Sequence, residues 1–253
     1  MTGSITSDKS RAVLKLCAWM GPLFTLMWLG GAGPITGWVY ILPPSAANTS
    51  AQTLQSYLDH LVPIRIGCIL MIFSCVLYTC WNMAISTVAR RMEGERPILF
   101  HIQAISIAAS VVVVMFIGFF WGVAAFRAGQ TSPEVTQVLN DLGWFGVLFT
   151  GAPFFCYQVA LAAQILRAEQ PVFPRWVAFM NIFVSVFMFE ACFIIFFKDG
   201  PFSQNGALVF YAPMICFFVW ICTMSGMLLN ALKSEEHMEK PGVMQEPAVH
   251  TNH

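Results

Sequence analysis

The stretch FHIQAISIAASVVVVMFIGFFWGVAAF, residues 100–126, contains no Asp, Glu, Lys or Arg. A helix needs about 20 mainly apolar residues to cross the hydrocarbon core of a membrane. Five other stretches have the same character, so we predict six spans, at 16–40, 62–88, 100–126, 142–166, 175–197 and 207–232. The sequence therefore predicts an all-α protein, a polytopic membrane helix bundle with six transmembrane helices.

The composition points the same way. Hydrophobic residues make up 57% of the chain and charged residues only 10%, whereas a typical soluble domain carries roughly 25% charged residues. Too few charges remain to cover a soluble surface. The net charge is zero, so we expect no nucleic-acid partner. The polar start, MTGSITSDKSRAVLK, has no signal-peptide pattern, and we expect the first span to be retained.

Basic residues divide unevenly between the two sides of the predicted bundle. Three of the 13, Arg65, Arg127 and Lys198, fall on one side. The other ten predict that the opposite side is cytoplasmic, since Lys and Arg accumulate in cytoplasmic loops. We therefore expect a bacterial inner membrane (cell membrane) protein with both termini in the cytoplasm. The predicted segments are a cytoplasmic N-terminal segment at 1–15, a transmembrane domain at 16–232 and a disordered cytoplasmic tail at 233–253.

Two outer loops contain short amphipathic helical patterns. In TSAQTLQSYLDHL, apolar residues recur at the spacing i, i+3, i+4, i+7, after an N-cap at Ser50 or a neighbour. In TSPEVTQVLNDLGW, Ser132 is a suitable N-cap and Pro133 suits the first helical position. We expect both helices on the outer face, with the second continuing into span four.

Polar side chains form stripes on several spans, among them Asn82 and Ser86 on span two. Such stripes fit either close helix–helix packing or a semi-polar cavity between helices. Glu190 lies nine residues from Asn181, about 180° around the helix, so the two cannot face the same interior. Three roles remain open for Glu190: a protonated packing acid with a hydrogen bond to a neighbouring span, a proton or cation site, or a contact with another subunit.

The candidate ligand-binding residues combine membrane-embedded polar groups with charges and aromatic side chains near the outer rim. They are Arg65, Trp121, Asp141, Trp144, Gln158, Glu190 and Trp220. We expect Arg65 to pair with Asp141 or Asp59. We predict no metal site, because His60 and His101 belong on opposite sides, and the cysteines fit small buried side chains. No catalytic set is visible, which leaves enzyme activity the least favoured class, and the sequence leaves any cofactor unknown.

Several segments resemble an uncharacterised six-span integral membrane protein family of actinobacteria and some proteobacteria. The segments are SYLDHLVPIRIG, ARRMEGE, FWGVAAFR, NDLGWF, PVFPRW and FFKDGPFSQNG, between residues 56 and 206. The resemblance implies a topology and no established activity, and it places any shared site at the outer rim. The matching residues are Arg65, Gly67, Asn140, Asp141, Trp144, Pro174, Arg175, Trp176, Lys198, Gly200, Pro201 and Asn205.

Three functions remain open. We favour binding, or helping to move, a hydrophobic small molecule or lipid, because the predicted interior is aromatic and weakly polar. One alternative is a non-catalytic structural or accessory subunit of a larger membrane complex. A second is an ion-coupled transporter that uses Glu190. The expected partners are the lipid bilayer, a hydrophobic small molecule, and other membrane subunits or a second copy of the chain.

Overall fold

The computed structural model describes residues 8–149 and 151–239. Eight α-helices account for most of this part of the chain, and shorter helical turns join some of them. The turns are 3₁₀-helical at Pro34–Thr36, Arg90–Met92 and Ala191–Phe196, and π-helical at Ala207–Tyr211. The α-helices are α1 (Asp8–Ala32), α2 (Ser50–Asp59), α3 (Leu61–Ala89), α4 (Ile98–Arg127), α5 (Pro133–Leu148), α6 (Ala152–Arg167), α7 (Arg175–Glu190) and α8 (Ala212–Glu239).

Six helical segments are long and apolar enough to cross a membrane, which confirms the predicted fold class. Their outward faces carry large apolar side chains; Trp19, Phe73 and Ile105 are each more than 60% exposed. A soluble protein rarely exposes contiguous apolar surface on this scale, whereas lipid tails solvate it. The chain is a multi-pass membrane protein. The six segments are Asp8–Thr36, Leu61–Met92, Ile98–Arg127, Pro133–Arg167, Arg175–Phe196 and Ala207–His237.

The spans close into a ring. Helix α1 packs against α3 and α8, α3 packs against α4, α4 packs against α5 and α6, and α7 lies between α6 and α8. One end of this bundle, here called the basic end, carries the turns 90–97 and 168–174 and both ends of the described chain. The other, the capped end, carries α2 and the connections 37–49, 128–132 and 197–206.

Helices α1 and α3 cross at two glycines. A side chain at Gly67 would collide with the carbonyl oxygen of Gly31, and a side chain at Gly31 would approach the carbonyl oxygen of Gly67. Small residues at such a crossing let the two backbones come close, and van der Waals packing then holds the helices together in lipid.

The surface helix α2 has the predicted amphipathic character. Its N-cap is Thr49, a neighbour of Ser50, and Thr49 forms a capping box with Gln52. Tyr57 on its inner side is buried, whereas Leu58, which the i, i+3, i+4, i+7 spacing assigned to the same apolar side, is 42% exposed. The second predicted surface helix begins at Pro133 after an N-cap at Ser132 and runs into span four, as expected.

Span four is broken, which the sequence analysis did not predict. Helix α5 ends at Leu148 and α6 begins at Ala152. The reason lies in the sequence Gly151-Ala152-Pro153. Proline lacks the N–H that would continue the preceding helix, and it fits the first turn of a new one.

The helices at the basic end are longer than predicted. Helix α1 begins at Asp8, inside the segment assigned to the N-terminal region, and α8 continues to Glu239. Residues 233–239 are thus helical, and not disordered as predicted. Lys15 binds Glu236 at 2.7 Å, and Arg91 forms an ion pair with Glu235. Residues 1–7 and 240–253 of the predicted terminal segments lie outside the described residues.

Candidate functional site

A cavity of about 90 Å³ lies inside the bundle, in the half next to the capped end. Its lining side chains come from α1, α4, α5, α6, α7, α8 and the segments between them, and none of these described side chains carries a charge. They are Phe24, Trp28, Val113, Val114, Ile117, Gly146, Val147, Leu148, Gly151, Phe154, Met188, Ala191, Phe210, Pro213, Met214, Phe217 and Phe218.

Three irregular stretches of backbone meet at this cavity. They are the break in span four at Phe149 and Gly151, the 3₁₀ turn Ala191–Phe196 and the π turn Ala207–Tyr211, and they contribute Gly151, Ala191 and Phe210 to the wall. Backbone that departs from the α-helix at membrane depth is tolerated where it is buried in protein or lines a cavity. The irregular segments and the cavity are therefore one feature of the fold.

A buried cluster, here called the cap cluster, lies toward the capped end and consists of Tyr40, Tyr57, Trp121, Asn140 and Trp144. The Tyr40 hydroxyl donates to the Tyr57 hydroxyl at 3.1 Å, and Tyr57 donates to Asn140 Oδ1 at 3.2 Å. The indole N–H of Trp121 donates to the Asn140 carbonyl oxygen at 3.2 Å. Together these contacts join the connection 37–49 and helix α2 to α4 and α5.

Aromatic packing extends the cap cluster to the cavity wall. The Tyr40 ring stacks on Trp121 with centroids 3.7 Å apart, and Trp121 meets Trp144 edge to face at 5.1 Å. Trp144 in turn contacts Phe210, a lining residue, at 5.6 Å. Burial raises the pKa of the Tyr40 and Tyr57 phenols well above the usual range, so the cluster holds both hydroxyls protonated.

An aromatic layer separates the cavity from the half of the bundle near the basic end. Tyr78 lies 6.1 Å from Phe154 and 6.2 Å from Phe217, and these two rings are 5.4 Å apart. Phe154 and Phe217 also line the cavity. The layer therefore forms the cavity floor.

Below this layer the interior is polar, and several groups form hydrogen bonds between helices. The Trp81 indole on α3 donates to Ser225 on α8 at 2.8 Å. The Trp220 indole on α8 donates to Asn181 Oδ1 on α7 at 3.0 Å. Of the two interpretations of the polar stripes, these bonds match close helix–helix packing.

Glu93 organises a second polar group, at the basic end itself. Its two carboxylate oxygens accept from the backbone N–H groups of Leu99 and Phe100, each at 2.9 Å, in the first turn of α4. Gln164 on α6 donates to Glu93 at 2.8 Å and accepts from Gln103 on α4 at 2.7 Å. A carboxylate at a helix N-terminus satisfies free N–H groups and suits the helix dipole.

Other buried polar atoms in this half have no hydrogen-bond partner within residues 8–149 and 151–239. They include Asn82 Oδ1 on α3 and both amide atoms of Gln158 on α6, whose side chain is fully buried. These groups offer hydrogen-bond donors as well as acceptors. Each unsatisfied buried group costs about 1–3 kcal/mol.

The seven candidate ligand-binding residues lie in different parts of the bundle, and none of them belongs to the cavity wall. Trp121 and Trp144 belong to the cap cluster, and Asp141 accepts from Asn140 at 3.5 Å beside it. Gln158 and Trp220 lie below the aromatic layer.

Arg65 departs from its expected pairing. It donates to the Ala125 carbonyl oxygen at 3.0 Å, and it forms no ion pair with Asp59 or Asp141, all of which lie within the described chain. An arginine that binds a backbone carbonyl secures the end of α4 to α3 without an acidic partner.

Glu190 ends α7 and is half-buried. Asn181 and Ser185 are buried toward the bundle, while Phe183 and Phe189 are 57% and 62% exposed. Glu190 thus lies away from the polar face, as predicted from the helical spacing. No hydrogen bond or ion pair of its carboxylate occurs within the described residues.

All eight cysteines are free thiols. In the described part of the chain, no group of three His, Cys, Asp or Glu side chains has a geometry that could hold a metal ion.

Comparison of the chain with protein-family models, with curated proteins and with solved structures finds no match. The geometry of the bundle therefore carries the functional argument alone.

Proposed function

We propose that this membrane protein binds a hydrophobic small molecule or lipid in its interior cavity, and so holds that molecule or helps to move it. The observation that carries the proposal is the uncharged lining of a cavity of about 90 Å³. Apolar cavities stay dry and accept apolar ligands.

Ligand retention tests the proposal. We would purify the protein in mild detergent, extract it and identify bound molecules by mass spectrometry. Val113→Phe places a ring at the cavity wall, whereas Val112→Phe is a matched control because Val112 is 50% exposed on the outside of the same helix. We expect the wild type and Val112→Phe to retain a specific molecule and Val113→Phe to lose it. Bulk phospholipid in equal amounts from all three proteins would contradict the proposal.

A second candidate function is an accessory subunit of a larger membrane complex, and the position of Glu190 favours it. A carboxylate in a span is expensive unless it faces a protein interior or has a partner, yet Glu190 lies on the outward side of α7 beside exposed phenylalanines. A neighbouring subunit would cover it. The native mass after gentle solubilisation tests this function. A complex with another protein that Glu190→Ala disrupts supports it. A monomer or a homo-oligomer without a co-purifying protein excludes it.

We also propose that the basic end faces the cytoplasm of a bacterial cell. The excess of Lys and Arg at that end supports this orientation. An accessibility tag inserted after Arg127 should react only from outside the membrane. Labelling of that tag only from the cytoplasmic side would reverse the topology.

A further inference from the structure

Among the described residues of the cavity wall, Trp28 alone has a side chain with an N–H or O–H group. The residue is only 7% exposed, and its indole nitrogen has no hydrogen-bond partner in the part of the chain that the structure describes. A buried donor without an acceptor is unfavourable, and such groups are uncommon in folded proteins.

Other buried indoles in this bundle do have acceptors. Trp81 donates to Ser225, Trp121 donates to the Asn140 carbonyl oxygen, and Trp220 donates to Asn181. The indole of Trp28 is distinguished from these three by its position at a cavity. A molecule in the cavity can supply the acceptor that the protein itself does not.

A second indole in this half, that of Trp144, also lacks an acceptor in the described chain. Trp144, whose indole nitrogen has no partner among the described residues, packs behind the lining residue Phe210 at 5.6 Å. Trp144 itself does not line the cavity, so the ligand's polarity depends on Trp28, whose N–H requires a ligand that accepts a hydrogen bond. The ligand must also be neutral, because no lining side chain among the described residues carries a charge that could balance a carboxylate, phosphate or amine.

We propose that the cavity binds a neutral, largely apolar molecule with a carbonyl oxygen, such as a ketone or ester, and that this oxygen accepts a hydrogen bond from the Trp28 indole N–H. The rest of the ligand packs against the aliphatic and aromatic wall, including Phe24 and Phe218. This inference rests on the proposed function, since it names the class of ligand for the same cavity.

The test compares 2-decanone with decane, two probes that share an apolar chain and differ in the carbonyl. Each is titrated at fixed detergent concentration into protein labelled with ¹⁵N at the tryptophan indoles. The Trp28 resonance is assigned by its absence from Trp28→Phe or Trp28→Tyr. We expect 2-decanone to move the Trp28 indole proton downfield and saturably, as hydrogen bonding does, and decane to produce no such downfield shift.

Affinity provides the second measurement. Trp28→Phe keeps an aromatic ring and removes the donor, so binding of 2-decanone should weaken about tenfold while binding of decane stays within twofold. Trp19→Phe is the matched control, because Trp19 lies on the same helix and is 63% exposed. It should leave the affinity for both probes unchanged.

The outcomes separate this inference from the proposed function. Saturable binding of both probes without a downfield shift of the Trp28 proton overturns the hydrogen bond and leaves an apolar binding cavity in place. If neither 2-decanone nor decane binds saturably to folded wild-type protein, both proposals are overturned. The resonance shift is measured on the wild-type chain, so the test does not depend on the stability of a variant at position 28.

Discussion

The two halves of the bundle interior differ in how they use polar groups. Near the capped end, the described residues of the cavity wall are aliphatic and aromatic, and Trp28 alone among them carries a side-chain N–H. Near the basic end, beyond the layer of Tyr78, Phe154 and Phe217, side-chain amides and hydroxyls cross between helices. The same six spans therefore enclose an apolar space at one level and a polar contact region at another.

This difference shows that polar stripes in membrane helices and ligand cavities need not coincide. Hydrogen bonds such as that between Trp220 and Asn181 pull helices together and leave little space. The cavity forms instead where the backbone departs from regular helix near Gly151, Ala191 and Phe210. In this fold, the site follows broken helices, and the polar residues hold the remainder of the bundle.

The largest effect on the polar half should come from Glu93→Ala. The substitution leaves the N–H groups of Leu99 and Phe100 and the amide of Gln164 without their acceptor. Hydrogen bonds to a charged group are stronger than neutral ones, and we expect the free energy of unfolding to fall by about 3 kcal/mol. Equilibrium unfolding in mixed micelles measures it.

Glu95→Ala is the matched control for that variant, because Glu95 is exposed in the same turn. It should change the free energy of unfolding by less than about 0.5 kcal/mol. Equal losses for the two variants would show that the net charge of the turn, and not the hydrogen bonds of Glu93, stabilises the basic end.

The sequence predicted the fold better than the site. Six apolar stretches, the amphipathic α2 and the opposite orientation of Asn181 and Glu190 follow from length and helical spacing, which depend on local sequence alone. Membrane burial makes this signal strong, since a span must satisfy its backbone internally.

The cavity could not be derived in the same way. Its wall combines residues from distant segments, such as Phe24 on α1 and Met188 on α7, and helical spacing does not reveal which helices become neighbours. The usable local signal was Gly151 followed by Pro153, which marks a break inside an apolar span. The candidate ligand-binding residues were polar residues within the spans and charged or aromatic residues at the rim. One of them, Trp220, already donates its indole N–H to another helix.

Gln158→Leu tests the unsatisfied polar groups of the basic half. Both amide atoms of Gln158 lack a partner within the described chain, and the side chain is fully buried. Leucine has a similar size and no polar atoms, so the free energy of unfolding should rise by about 1–2 kcal/mol. Unfolding in mixed micelles measures the change.

Gln103→Leu is the informative comparison for Gln158→Leu. The Gln103 amide nitrogen donates to Gln164 Oε1 at 2.7 Å, while Gln103 Oε1 has no partner within the described residues. Gln103→Leu leaves Gln164 Oε1 without its donor, so the free energy of unfolding should fall by about 1 kcal/mol. If Gln158→Leu also destabilises the protein, the Gln158 amide must bind a partner such as an internal water, and the polar half is then hydrated.

Tyr57→Phe tests the cap cluster, which closes the apolar half. It removes the hydroxyl between Tyr40 and Asn140, and we expect a loss of about 1.5 kcal/mol at pH 8. Burial raises the pKa of Tyr57, so this residue stabilises the fold fully below the ordinary tyrosine value of about 10 and progressively less above it.

The pH dependence of the wild type and Tyr57→Phe then separates packing from proton binding. Above pH 10 the wild type loses about 1.4 kcal/mol per pH unit through Tyr57, and the variant lacks this loss. The difference in free energy of unfolding between the two proteins should therefore shrink between pH 10 and pH 11. A constant difference over that range would mean that Tyr57 is accessible to solvent and that the capped end is open.

The smallest effect concerns how α2 is held over the capped end. Thr49 accepts from the Gln52 backbone N–H at 3.3 Å, while the Gln52 side chain accepts from the Thr49 backbone N–H at 2.9 Å. Thr49→Ala should therefore cost about 1 kcal/mol. Ser132, the N-cap of α5, makes no such side-chain bond, so Ser132→Ala should cost less. Hydrogen exchange measures the effect on each helix. If Thr49→Ala speeds exchange in α2 and leaves α5 unchanged, α2 opens independently of the spans beneath it. If both helices lose protection together, the cap cluster couples them through Tyr57 and Asn140.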